Sequence, residues 1–91
     1  MDNRHQIEEL FRSNQLDAAE ELILEEIQAG AENADLHFML GQILYRRQQW
    51  GRAINSFQRV LELDPAYPGA KEQIQMANSI LGYFTPDMFN P

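Results

Sequence analysis

The chain has 91 residues, no cysteine and a net charge of −7 at pH 7, from 14 acidic and 7 basic side chains. A chain of this length forms one domain with a small core. The lack of thiols excludes disulfides and thiolate metal sites. Clustered Lys and Arg, which bind phosphate backbones, are absent, so we do not expect a nucleic-acid partner.

No apolar run approaches the roughly 18 residues of a membrane-spanning helix, and no basic-then-apolar leader opens the chain. We therefore expect a soluble, cytoplasmic protein without a membrane partner. The charge is uneven, because residues 1–35 hold ten acids and two bases, whereas residues 36–91 hold four acids and five bases. This asymmetry indicates either a solvated acidic face that aids solubility or a field that attracts a basic or bipolar ligand.

Apolar side chains recur at helical spacing in the first half of the chain. A first helix is predicted over about 3–13, and a second over about 17–29 with glutamates on its outer side. Gly30 follows the second helix, where a left-handed residue commonly ends a helix. Asn14-Gln15 is the predicted turn between the two helices.

Three more helices are predicted in the second half, over about 34–47, 50–63 and 68–82. Asn33 is the expected N-cap of the first of these, and Gln48-Gln49 is the turn that follows it. Pro68 suits the first turn of the last helix, which is expected to stop near Gly82. No stretch alternates with a two-residue period, so no strand is predicted.

An offset of 34 residues aligns the first half of the chain with the second. Small residues fall on small residues and large apolar residues on large ones, which predicts two equivalent hairpins that bury their apolar faces against each other. The aligned pairs are Leu10 with Leu44, Phe11 with Tyr45, Arg12 with Arg46, Leu16 with Trp50, Ala19 with Ala53, Ile23 with Phe57, and Ile27 with Leu61.

The second hairpin carries Leu40-Gly41, Trp50, Ala53, Phe57, Leu61 and Asp64-Pro65. This spacing resembles the tetratricopeptide repeat, a helix–turn–helix unit of about 34 residues. The resemblance implies an all-α, right-handed α-solenoid of two antiparallel helix pairs plus a capping helix. The implied boundaries are repeat one at about 1–33, repeat two at about 34–67, the capping helix at about 68–82 and a tail at 83–91. A plain helix bundle is the alternative.

The resemblance implies a non-enzymatic interaction module that binds a peptide or helix of another protein in a concave groove. Arginines beside aromatic side chains are typical of binding hot spots, and Arg12 and Arg46 are expected to pair with acidic ligand groups. Phe38 fits the groove and the core equally well. The implied groove residues are Arg4, Glu8, Phe11, Arg12, Asp35, Phe38, Gln42, Tyr45, Arg46, Glu72, Met76 and Ile80.

A second hypothesis is a self-associating structural unit, because two repeats fall short of the about three that such stacks need. A homodimer would then complete the stack. The aromatic-rich tail, 83–91, is expected either to fold back over the fifth helix or to form an interface.

Catalytic chemistry is not indicated by the sequence. The two histidines, His5 and His37, lie 32 residues apart without cysteine support, so neither a metal site nor a cofactor is expected. His37 is interpreted as a packing residue. Repeats of this family that bind acidic chaperone tails use basic groove residues, but of the matching positions here (Arg4, Glu8, Met39, Gly69 and Gln73) only Arg4 is suitable. We therefore expect no binding of such tails.

Overall fold

The structure is a computed structural model that describes residues 3–84, the last two by their backbone alone. Five helices follow one another along the chain: α1 (Arg4–Arg12), α2 (Leu16–Gln28), α3 (Ala34–Arg46), α4 (Trp50–Leu63) and α5 (Ala70–Phe84). Each helix packs against the next, and α4 has extensive contacts with both α3 and α5. The described residues contain no strand, so the predicted all-α fold is confirmed. The tail beyond Phe84 lies outside the described residues.

The predicted helix boundaries agree with the structure to within one or two residues except at α5. This helix begins at Ala70 rather than near Pro68, because Gly69 has a φ of 88°, which no residue of a right-handed helix adopts. The expected stop at Gly82 is wrong, since α5 continues to Phe84. A glycine ends a helix only when it takes a left-handed conformation, as Gly30 does with a φ of 100°.

The turns within the two hairpins have the same backbone geometry. Asn14 and Gln48, 34 residues apart, both have a φ of 62°. The amide of Gln15 donates to the carbonyl of Leu10 at 2.8 Å, and the amide of Gln49 donates to the carbonyl of Leu44 at 2.9 Å. Non-glycine residues adopt positive φ uncommonly, so its recurrence at the same offset shows that the sequence period has a counterpart in the backbone.

The start of α3 is held by a side-chain cap. The Oδ1 atom of Asn33 accepts a hydrogen bond from the amide of Asp35 at 2.8 Å, which satisfies one of the unpaired amides of the first helical turn. The predicted N-cap is therefore confirmed. It positions Asp35 in the first turn, where a carboxylate is favoured by the helix dipole.

The core lies between the hairpins and is dominated by Phe57, which is fully shielded from solvent. Gly41 of α3 faces its ring: a Cβ at this position would lie 2.7 Å from the Cε1 of Phe57. The absence of a side chain at Gly41 therefore allows α3 and α4 to approach closely, as the sequence predicts. The other fully shielded apolar residues are Ile7, Ala19, Ile23, Ile43, Ala53, Val60, Ala70 and Ala77.

Part of the acidic face of α2 is used for an ion-pair cluster. Arg47, after the end of α3, pairs with Asp17 and Glu20, which both lie on α2. The Glu20 pair is the better shielded of the two, with 28% and 16% of the side chains exposed. Exposed pairs contribute little stability, so this cluster mainly fixes how α3 sits against the first hairpin. The remaining acids agree with the interpretation of a solvated face.

His37 is the only described side chain with a buried polar atom that lacks a hydrogen-bond partner, its Nε2. Burial lowers the pKa of His37; Glu32 opposes this shift and Arg59 adds to it. The structure thus agrees with the interpretation of His37 as a packing residue.

This burial predicts a pH-dependent stability. Between the lowered folded-state pKa of His37 and the ordinary value of about 6.5, the unfolded chain binds more protons than the folded one. The free energy of unfolding should therefore be greatest above pH 6.5 and fall as the pH decreases below it. Urea unfolding between pH 5.5 and 8 measures this slope. The His37→Leu variant should flatten it, whereas His5→Gln, at an exposed histidine, should leave it unchanged; an identical slope in His37→Leu would contradict the assignment.

Candidate ligand groove

Side chains of α1, α3 and α5 line three adjoining pockets, which together we call the groove. The arginine pocket, of about 400 Å³, is lined by Glu8, Phe11, Arg12, Asn14, Met39 and Arg46. The tyrosine pocket, of about 240 Å³, is lined by Arg4, Glu8, Asp35, Met39 and Tyr67. The methionine pocket, of about 160 Å³, is lined by Gln42, Tyr45, Arg46, Gln73 and Met76. Shared side chains make the three pockets continuous.

The arginine pocket joins the ends of α1 and α3. The guanidinium carbon of Arg46 lies 4.8 Å from the centre of the Phe11 ring, a cation–π distance. Its Nη1 donates to the Oδ1 of Asn14 at 3.3 Å. Arg12 is exposed beside it, and Glu8 is the one acidic side chain of the lining. The pocket therefore has an excess of positive charge.

The charged side chains of the tyrosine pocket are paired with each other. Arg4 of α1 forms an ion pair with Asp35 of α3. The hydroxyl of Tyr67 donates to the other carboxylate oxygen of Asp35 at 2.5 Å. Burial raises the pKa of Tyr67, with Arg4 opposing the shift and Asp64 adding to it, so the hydroxyl keeps its proton and remains a donor. This end of the groove is electrostatically balanced.

The methionine pocket combines an apolar surface with two amides. Met76 of α5 is 52% exposed, and no other large hydrophobic side chain in the described part of the chain is classed as exposed. Tyr45 packs edge-on against Trp50, with ring centres 4.9 Å apart, which fixes one wall. Gln42 and Gln73 supply hydrogen-bonding groups. An apolar patch with a few polar groups is the usual composition of a ligand site.

The structure brings most of the sequence-predicted groove residues together. Nine of the twelve line the groove: Arg4, Glu8, Phe11, Arg12, Asp35, Gln42, Tyr45, Arg46 and Met76. Glu72 and Ile80 line none of its three pockets. Neither does Phe38, whose ring packs 5.4 Å from Phe57 and 4.9 Å from Tyr67. For Phe38 the core interpretation is therefore the one that the packing supports.

Four lining residues are not among the predicted groove residues: Asn14, Met39, Tyr67 and Gln73. Met39 was expected in the core with its neighbours, but it is half-buried and lines two pockets. Its position was available from the sequence, because Asp35, Met39, Gln42 and Arg46 follow one face of α3. Gln73 was expected on the polar outer face of α5 and instead lies on the groove side. Tyr67 and Asn14 are loop residues, whose placement helical spacing does not predict.

Neither a metal cluster nor a membrane span is found in the described part of the chain. No group of three or more His, Asp or Glu side chains there is arranged to hold a metal ion. No helix between residues 3 and 84 is both long enough and apolar enough to cross a membrane.

Comparison with protein families identifies one segment. Residues 34–67, which include α3, α4 and the turn after α4, match the tetratricopeptide repeat family. Searches of curated proteins and of solved structures give no significant match.

Proposed function

We propose that this chain, a small helical protein with a tetratricopeptide repeat at residues 34–67, is a non-enzymatic interaction module that binds a peptide or helix of another protein in the groove. The family suggests protein–protein interaction in general. The observation that supports a groove-binding mode is the continuity of the three pockets across α1, α3 and α5.

The groove is a product of hairpin stacking. Each of its pockets takes side chains from more than one helix, and Arg46 of α3 rests on Phe11 of α1. The rings of Tyr45 and Phe38 are held by Trp50 and by Phe57, respectively. A surface held this way loses little conformational freedom when a ligand binds, which favours affinity.

The alternative, a homodimer that extends the stack end to end, receives less support. The apolar positions that α3 buries are replaced by exposed polar residues at the equivalent positions of the outer helices. Leu40 and Ile43 correspond to Gln6 and Glu9 of α1, and Gly41 and Leu44 correspond to Gln75 and Asn78 of α5. Polar end faces are typical of capping elements, so neither end offers an apolar surface for another copy.

The proposal is tested by panning a phage-displayed library of random 12-residue peptides against the full chain. Selected peptides should bind the Met76→Lys variant about tenfold more weakly, because burying a methionine side chain contributes about 1.5–3 kcal/mol. Met76 is half exposed, so this variant should fold normally, which circular dichroism checks.

Gln58→Lys is the matched control, because it adds the same charge at an exposed position of α4 outside the groove. It should bind the selected peptides as the unmodified chain does. The proposal fails if no peptide is enriched, or if Met76→Lys binds the selected peptides with unchanged affinity in fluorescence polarisation.

A further inference from the structure

We infer that the groove selects a linear segment of another protein in which an acidic side chain lies within a few residues of a large apolar one. The acidic side chain binds between Arg12 and Arg46, and the apolar side chain binds against Met76 in the methionine pocket. This inference rests on the proposed function and specifies the ligand chemistry for it.

The charge distribution supports the acidic position. The chain has twice as many acids as bases, yet the arginine pocket is lined by two arginines and one glutamate. In the described part of the chain Arg4, Arg47 and Arg59 all form ion pairs with carboxylates, whereas Arg12 and Arg46 form none. The unpaired positive charge of this acidic molecule is therefore concentrated in the groove.

The guanidinium of Arg46 is also held in place for a ligand. It stacks on Phe11 and bonds to Asn14, which uses one of its five N–H donors. The planar fork of an arginine matches the two oxygens of a carboxylate, and a held fork loses less entropy when it binds.

A purely local role would also place arginines at these positions, because cations near the end of a helix interact favourably with its dipole. Arg12 and Arg46 both lie in the last turn of their helices. Arg46, however, extends across to the ring of Phe11 on α1 and to Asn14 in the next turn. Its charged group therefore lies over the pocket between two helices, where a ligand can reach it.

The apolar position follows from the way the pockets meet. Arg46 lines both the arginine pocket and the methionine pocket, so the two share one side chain. An extended peptide advances about 3.3 Å per residue, and a segment of a few residues therefore reaches both. With about 160 Å³, the methionine pocket suits a single side chain rather than the face of a helix.

The test uses the peptides selected by panning, each synthesised with its Asp or Glu and with the corresponding Asn or Gln. In 50 mM salt, the amide form should bind the full chain at least about tenfold more weakly in fluorescence polarisation, and the difference should shrink as salt is added. Arg12→Gln and Arg46→Gln should each reduce the preference for the acidic form. Arg52→Gln is the control, because Arg52 is exposed outside the groove and bonds only to Gln49.

The outcomes separate this inference from the proposed function. If the amide and acidic forms bind equally while Met76→Lys still weakens both, the groove binds peptides but the acidic position is wrong. If no peptide is enriched, both fail. The tail of the chain itself contains Asp87-Met88-Phe89. A severalfold gain in peptide affinity in the full-length Asp87→Asn variant would assign the site to the tail and overturn its assignment to another protein.

Discussion

Replacing Phe57 by alanine is expected to lower the free energy of unfolding by about 3–5 kcal/mol, the usual cost of removing a large aromatic side chain from a core. Phe57 is fully shielded, contacts Phe38 edge-on at 5.4 Å and fills the space beside Gly41. Because small domains are stable by about 5–15 kcal/mol, the variant should be largely destabilised. Urea unfolding followed by circular dichroism and by the fluorescence of Trp50, the single tryptophan, measures the loss.

The control for this variant is Gln58→Ala, the next residue of α4, which is exposed. Its effect should stay within about 0.5 kcal/mol, as for most surface substitutions. A loss of less than about 1 kcal/mol in Phe57→Ala would mean that the ring is not the centre of the core, and it would remove the packing argument for the junction of α3 and α4.

The same Gly→Ala substitution is expected to have opposite effects at Gly41 and Gly51. Both glycines lie within helices, where alanine is favoured over glycine by about 1 kcal/mol. At Gly51 a Cβ would meet no atom within 4 Å, so the free energy of unfolding should rise by up to about 1 kcal/mol. At Gly41 the Cβ would lie 2.7–2.9 Å from three atoms of the Phe57 ring.

Phe57 has no free space to move into, since its side chain is fully shielded. Overpacking of this kind costs about 1–3 kcal/mol, which exceeds the helical gain, so Gly41→Ala should lower the free energy of unfolding by about 1–2 kcal/mol. Thermal and urea unfolding of the two variants side by side check the signs. A stabilised Gly41→Ala would show that the helices do not approach as closely as described.

Both predictions bear on the groove as well as on the core. The pockets are lined by α1, α3 and α5, and these helices reach the same face only while the hairpins stack on Phe57 and its neighbours. A variant that loosens this junction should therefore lose ligand binding together with stability. Met76→Lys and Arg12→Gln, at exposed positions, should lose binding alone.

Several features of the site follow from residue spacing. Arg12 and Arg46 occupy equivalent positions of the 34-residue period, so both are expected at the ends of parallel helices. Gly41 is recognisable as a close-contact position, and its ring partner Phe57 lies on the facing helix. Other features needed the packed structure. The stacking of Arg46 on Phe11, the bond from Tyr67 to Asp35 and the exposure of Met76 depend on neighbours far along the chain.

The sequence by itself determined the five helices, their turns and the repeat, because helical periodicity, capping by Asn33 and the left-handed conformation of Gly30 are local properties of the chain. Only the tertiary structure decided which side chains are covered. Spacing places Phe38, Met39 and Gln73 on faces of their helices, but not what packs against those faces. The ring of Phe38 is taken up by Phe57 and Tyr67, while Met39 and Gln73 remain accessible in the groove.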